Sequence, residues 1–228
     1  MSTLIQLNYV LFQDINVYAG YSSVFDGFMV FCANTLIFCW PILLLMVWGI
    51  PLNWRRRPLQ AGETRVIQER RSVVLWVAIA CLIAYGVNLL IEQFVFEPRP
   101  FVSHKVHVLI AHVADASFPS DHTAWSFAVV GMLAFAFVPI FLSAWRNEGG
   151  QEFDASLLRK LWLFMIVALV IGCMIGFARV FAGVHYPGDV LGGALDGLVG
   201  AAIVTVLRHW LSRPTNAVLR FARKIRIA

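Results

Sequence analysis

The chain has 228 residues, of which 60% are hydrophobic and 14% charged, with a mean hydropathy of +0.75 and a formal charge of +5. Globular chains average roughly 45–50% apolar and about 25% charged residues, so this composition excludes an ordinary soluble domain, a disordered chain and a fibrous repeat. It implies apolar runs of about 20 residues, long enough to cross a bilayer; there the position of each charge matters more than the sum, and no nucleic-acid partner is read from it.

The first 23 residues hold no Lys or Arg, so they lack the basic region of a cleavable leader. Leu4, Leu7, Leu11, Ile15 and Tyr18 recur at helical spacing among polar residues, which predicts an amphipathic segment lying in the membrane interface over residues 1–23. Five apolar stretches follow, at 28–50, 73–96, 122–144, 161–181 and 190–207. They predict an all-α integral membrane protein, one domain over 1–228, with five transmembrane helices in one bundle, or six if the N-terminal segment also spans.

Within the spans, Pro41 and Pro139 read as kinks. Gly172 and Gly176, and Gly188, Gly192, Gly193, Gly197 and Gly200, give the small-residue spacing that lets helices approach closely. Cys32, Cys39, Cys81 and Cys173 have no ligand or framework spacing and read as buried thiols. Asn88, Glu92 and Gln93 are costly in lipid and should face the bundle; Asp196, seven residues after Asp189, reads as buried and hydrogen-bonded.

Of the 18 Lys and Arg residues, 15 fall in alternate segments: the loop 51–72, the loop 145–160 and the tail 208–228. Cation-rich short loops stay cytoplasmic, so these lie inside, the tail as a basic cytoplasmic extension, and residues 97–121 and 182–189 lie outside. The outer face keeps only Arg99, Lys105 and Arg179.

Three clusters meet on that face: Glu97-Pro98-Arg99-Pro100-Phe101, Phe118-Pro119-Ser120-Asp121-His122, and Arg179 with His185 and Asp189. Two guanidiniums, two histidines, a hydroxyl and a carboxylate suit phosphoryl transfer, which is mostly positioning and charge stabilisation. Ser120 reads as the N-cap of the third span and Pro187 as the first turn of the fifth, so two helix N-termini would aim at one anion, with Arg99 and Arg179 adding bidentate forks. His185 and Asp189, four residues apart at a helix start, read as a nucleophile and the group that orients it. His104, His107 and His112 fit no strong zinc spacing and read as head-group contacts or loop structure.

These motifs resemble those of the type 2 phosphatidic acid phosphatase superfamily: Lys six residues ahead of Arg-Pro, then Pro-Ser-Gly-His, then Ser-Arg with His and Asp following. Within it, the run from Phe96 to Thr123 looks like the bacitracin-resistance type of undecaprenyl-diphosphatase. Three positions depart: Glu92 stands at the motif Lys, Asp121 at the Gly, and Ala178 at the Ser. A carboxylate cannot bind phosphate directly, so Glu92 and Asp121 read as supporting residues and Lys105 as the substitute cation.

The resemblance implies a phosphohistidine at His185, oriented by Asp189. Arg99, Arg179 and Ser120 would hold the phosphate oxygens and His122 would handle the leaving-group proton, without metal or cofactor. It further implies a polyprenyl diphosphate as substrate, a site on the outer face of a bacterial cytoplasmic membrane, and a role in recycling the cell-wall lipid carrier and in bacitracin resistance. Phosphatidylglycerophosphate or phosphatidic acid hydrolysis is the alternative within the class. A non-catalytic transport or drug-resistance component is the alternative outside it, against which stands the absence of a repeat or midplane charge pair.

Overall fold

The computed structural model describes residues 3–49, 61–146 and 155–225. The basic loop at 51–60, the linker at 147–154 and Arg226 lie outside the described residues. The elements in order are α1 (Thr3–Asn16), α2 (Ser23–Asn34), a single 3-10 turn (Leu36–Phe38), α3 (Cys39–Gly49), α4 (Ala61–Glu92), α5 (Pro100–Ser103), α6 (Asp121–Arg146), α7 (Ala155–Phe181) and α8 (Pro187–Lys224). Helices α4, α6, α7 and α8 are each long and apolar enough to cross a membrane, and α2 with the 3-10 turn and α3 passes the same test as a bent pair, a fifth candidate span.

That fifth span corrects the expectation of one helix over 28–50. It starts at Ser23, where the Ser22 hydroxyl accepts the Phe25 N–H at 3.4 Å, and it bends by 43° between Asn34 and Leu36. Asn34 and Thr35 are weak helix formers that compete with the backbone for hydrogen bonds. Pro41 has no N–H to offer the Ile37 carbonyl one turn earlier, so the helix yields there.

The last span is longer than its apolar stretch. Thirty-eight residues at about 1.5 Å each reach far beyond the roughly 30 Å hydrocarbon core, so the segment expected as a basic tail continues the helix to Lys224. Its far half stays helical against the start of α4: Trp76 Nε1 donates to Thr215 Oγ1 at 3.1 Å and Gln68 Nε2 to Asn216 Oδ1 at 2.9 Å.

The core between α4, α6 and α8 is built from small residues, Ala80, Ala84, Ala124, Ala128 and Ala201 with Val77 and Val204. A Cβ on Gly193 would fall on the Ser120 carbonyl, and one on Gly197 on the Ala124 carbonyl. Backbone contact of this kind is how helices associate in lipid, where burial against lipid supplies no driving force. Gly197→Ala is therefore expected to cost about 1–3 kcal/mol, read as a lowered melting temperature in detergent.

Three polar or thiol expectations need correction. Cys173 is exposed on α7, Cys39 and Cys81 are half-buried, and only Cys32 is buried. Asn88 is fully buried, but Gln93 lies exposed beyond the end of α4. Asp196 is buried, yet its Oδ2 has no hydrogen-bond partner among the described residues.

Helix α1 docks through a different face from the leucine stripe. Phe12 and Asn16 are buried, while Leu4, Leu7 and Tyr18 are more than half exposed. The protein takes the side of α1 that carries Phe12 and Asn16, with Ile15 packed beside them, and leaves Leu4, Leu7 and Leu11 exposed.

Candidate active site

Arg99, Ser120, Arg179 and His185 come together at the end of the bundle where α4 and α7 finish and α6 and α8 begin. Beyond α4 the chain runs extended, and Pro98 pairs with Ala116 while Ser117 N–H donates to the Glu97 carbonyl at 2.7 Å. This brings the loop 104–120 back across the site. Asn16 of α1 fixes that loop from the other side: its Nδ2 donates to the His107 and Phe181 carbonyls at 2.8 and 2.9 Å, and its Oδ1 accepts the His107 N–H at 3.0 Å. Gly183, at φ +81°, turns the chain from α7 into α8 where a Cβ would strike the His107 carbonyl; only glycine suits both conditions.

His185 is 2% exposed, and its hydrogen bonds assign its tautomer. Nδ1 lies 2.9 Å from the Ser117 carbonyl and 3.3 Å from Asp189 Oδ2, while Nε2 lies 3.1 Å from Arg99 Nη1 and 3.4 Å from Arg179 Nη2. A carbonyl only accepts and a guanidinium only donates, so the proton sits on Nδ1 and the Nε2 lone pair faces the two cations. Burial, then the charges of Arg179 and Arg99, holds the ring well below the ordinary histidine pKa. The neutral, nucleophilic form is thus present at neutral pH.

Arg99 is 6% exposed; its Nε donates to Asp115 Oδ1 at 2.6 Å and its Nη1 to the Val184 carbonyl at 3.0 Å. Burial pushes Asp115 up, but the hydrogen bond and charge of Arg99 outweigh it and hold the carboxylate below its usual range. Arg179, in the last turn of α7, donates to Asn34 Oδ1 at 3.4 Å, so the break in the first span supplies a ligand to the cluster. His112 stands beside these cations with its ring centroid 6.3 Å from that of His185. Burial first, then Arg99, lowers its pKa.

Asp189 is fully buried and accepts from the Tyr186 N–H at 2.7 Å and from the Ser117 hydroxyl as well as facing His185. The Ser117 carbonyl, closer to Nδ1, already fixes the tautomer. Asp189→Asn is therefore expected to cost roughly 10²-fold in kcat, below the about 10⁴-fold loss seen where the carboxylate alone sets the tautomer, as measured by phosphate release.

Ser120 stands at the N-cap position of α6 without capping it through its side chain: its carbonyl accepts the Ala124 N–H at 2.9 Å, while its hydroxyl accepts from Thr123 Oγ1 at 3.1 Å. The N–H groups of Asp121, His122 and Thr123 have no acceptor among the described residues, which leaves this helix start open to an anion. The start of α8 is different. Gly188 N–H donates to Asn8 Oδ1 at 2.8 Å, so α1 occupies the second cradle that the sequence suggested, and one helix N-terminus rather than two faces the cluster.

The His122 ring has no hydrogen-bond partner among the described residues and lies within electrostatic range of Arg179, His185 and Arg99. Asp121 accepts from Asn88 Nδ2 at 2.8 Å, and Glu92 lies near Asp121, Asp115 and Arg99; both carboxylates sit beside the site. Lys105 does not join it, being exposed with no hydrogen bond or ion pair among the described residues. Nearby, the His104 ring stacks on Tyr9 at 4.0 Å. Sequence reasoning missed Ser117, Asp115 and Asn34. Asn34-Thr35 inside an apolar run was the one available signal, whereas Ser117 and Asp115 acquire their roles only when the loop folds back.

The PAP2 superfamily model matches residues 73–213. Undecaprenyl-diphosphatase BcrC of Bacillus subtilis (strain 168) is 35% identical over 194 residues, 85% of this chain and 80% of that protein. Putative undecaprenyl-diphosphatase YbjG of Escherichia coli (strain K12) is 30% identical over 201 residues, 88% of this chain and 82% of that one. Among solved structures, a transmembrane PAP2-type phosphatidylglycerolphosphate phosphatase from Bacillus subtilis aligns with a TM-score of 0.61 at 18% identity, covering 92% of this chain and 88% of that one. The sequence match, carried across most of the chain, and the shared fold lead to one assignment: this membrane protein belongs to the PAP2 superfamily of phosphatases.

Proposed function

We propose that the protein hydrolyses undecaprenyl diphosphate to undecaprenyl phosphate and inorganic phosphate, through a phosphohistidine, on the outer face of a bacterial cytoplasmic membrane. The observation that carries the chemistry is the His185 tautomer, with its Nε2 lone pair turned toward Arg99 and Arg179. An anion placed between the guanidiniums lies where that lone pair can attack. The curated relatives that match most of the chain carry the substrate. The outer orientation rests on charge: Arg208, Arg213, Arg220, Arg223 and Lys224 lie toward the end of α8 opposite the site. Removing one phosphate there returns the lipid carrier to wall synthesis and withdraws the diphosphate from bacitracin.

In the first step Nε2 forms a bond to the terminal phosphorus. The bridging P–O bond breaks, and the lipid monophosphate leaves with its electron pair. Arg99, Arg179, Ser120 and the N–H groups of α6 hold the oxygens; Asp189 and the Ser117 carbonyl stabilise the ring while it is cationic. In the second step a water oxygen bonds to phosphorus, its proton passes to His122, the P–N bond breaks and phosphate departs.

A phosphate-monoester leaving group, with a second pKa of about 6, needs little acid. His122 therefore acts chiefly as the base of the second step. His122→Ala is expected to lower steady-state turnover roughly 10²–10⁴-fold while keeping a stoichiometric phosphoenzyme burst; loss of the burst along with turnover would reassign it to the first step.

The testing experiment is phosphate release by the detergent-purified protein, in EDTA, from undecaprenyl diphosphate and phosphatidic acid in parallel. Turnover that favours the diphosphate is the expected result, and turnover of neither removes the reading.

A further inference from the structure

A carboxylate stands at the rim of the anion cradle that the first N–H groups of α6 leave open. Asp121 is the first residue of that helix, lines a cavity of about 510 Å³ together with His122, and lies within electrostatic range of Arg179. A negative side chain there is a rival to an arriving phosphate, drawn by the same helix start and the same guanidinium. The superfamily motif has Gly at this position, so the rival comes with the substitution. Yet Asp121 occupies neither place. Its one hydrogen bond among the described residues comes from Asn88 Nδ2, at 2.8 Å.

Asn88 is placed for that bond and for little else. It continues the α4 stripe Ala80, Ala84, Asn88, each 0% exposed, along which a small apolar residue would pack at no polar cost. A buried amide in a membrane span is instead a mark of function. A carboxylate only accepts, so the Nδ2 end of the amide faces Asp121 and Oδ1 faces away, where it has no partner among the described residues. A buried acceptor left unmet is a cost, and the side chain is retained in spite of it for its donor. Glu92, four residues on and so on the same face of α4, brings a second negative charge into range of Asp121. With repulsion on one side and Arg179 on the other, Asp121 would swing into the cradle if nothing held it.

We infer that Asn88 is a positioning residue whose amide holds the Asp121 carboxylate off Arg179 and off the start of α6, keeping the cradle open for phosphate. The inference deepens the lipid-phosphatase reading and rests on it. Asn88 touches no reacting atom and acts through Asp121 alone. Without the amide, the carboxylate competes with the ground state and the transition state alike, and a loss of that kind raises KM while leaving kcat nearly unchanged.

The test is a double-mutant cycle in the full-length protein in detergent, read by orthovanadate affinity and by turnover of undecaprenyl diphosphate. Asn88→Leu, which keeps the branched shape and removes the donor, is expected to raise the vanadate Kd and the KM each about tenfold while kcat changes less than about twofold. Asp121→Gly on that background should cancel the effect, so that Asn88→Leu/Asp121→Gly matches Asp121→Gly alone within about twofold. Melting temperatures accompany every variant, and Asn88→Ser, too short to reach Asp121, takes the place of Asn88→Leu if the latter does not fold. Unchanged Kd and KM in the single variant, a fall in kcat with KM unmoved, or a loss that Asp121→Gly does not cancel would overturn the assignment and make Asn88 a packing residue. Wild-type protein that binds vanadate but turns over neither the diphosphate nor phosphatidic acid would instead remove the phosphatase reading, and the vanadate cycle would still decide whether Asn88 guards the cradle.

Discussion

His185→Ala is expected to lower kcat by roughly 10⁴–10⁶, the scale on which removal of a nucleophile acts, and to abolish the phosphoenzyme seen on rapid quenching. The size of the loss follows from the site's construction. Among the described histidines beside Arg99 and Arg179, His185 alone is buried; His112 and His122 are partly exposed, and His122 is proposed as the base of the second step. A loss of 10²-fold or less would show that water attacks directly and that His185 only positions the phosphate.

The same geometry sets the pH profile. His185 is held well below 6.5 by burial and then by two guanidiniums, so its competent neutral form persists as pH falls through the ordinary histidine range. The acid limb of kcat/KM, once the substrate's own ionisation is subtracted, is expected below pH 6.5. Stability carries the matching sign: below about 6.5 the unfolded chain takes up a proton that the folded ring refuses, so the protein loses stability as pH falls. Glu97 works in the other direction. Burial, then the charge of Asp189, pushes it up to about 7, so its ionisation penalises the fold as pH rises from its unfolded value toward 7. The two opposing slopes cancel near pH 5 to 6, between the unfolded pKa values of Glu97 and His185, so these groups set best stability there, measured by thermal melting across pH.

The helices and the cluster of Arg99, Ser120, Arg179 and His185 were legible in the sequence because each rests on a local pattern. Twenty apolar residues make a span whatever surrounds them, and Pro119-Ser120 or Pro187 marks a helix start through its own backbone chemistry. The departures are all tertiary. Asn8 capping the Gly188 N–H, Asn16 bridging His107 and Phe181, and the Ser117 carbonyl fixing His185 each join residues far apart in the chain. Lys105, a cation near a motif in sequence, is exposed and makes no hydrogen bond or ion pair among the described residues. The bend at Thr35 lay between the two cases. Asn34, Thr35 and Pro41 stood in view, but hydropathy averaged over a span conceals them.

Arg179→Gln is expected to lower kcat/KM by roughly 10²–10³, as loss of one anion-stabilising donor does, while leaving the free protein equally or more stable. Arg179 is 2% exposed and, among the described residues, no carboxylate pairs with it: its partners there are Asn34 Oδ1 and His185 Nε2, and its Nε has no acceptor. Among the described residues, the one carboxylate paired with Arg99 beside it is the half-exposed Asp115. Removing a charge from water costs several kcal/mol even after relaxation, so two guanidiniums stand in the free protein with most of that cost unmet. An arriving phosphate supplies the missing charge. A competing account has Arg179 simply favouring the C-terminal turn of α7, a role worth about 0.3–1 kcal/mol that would be lost on substitution. The two accounts separate in a melting experiment with orthovanadate as the phosphate analogue. At 100 times its Kd, vanadate should stabilise the wild type by about 2.7 kcal/mol and Arg179→Gln far less, with the unliganded variant melting no lower than the wild type. A variant that melts lower and keeps its full response to vanadate would make Arg179 a helix cap, and the anion site would rest on Arg99 and the start of α6 alone.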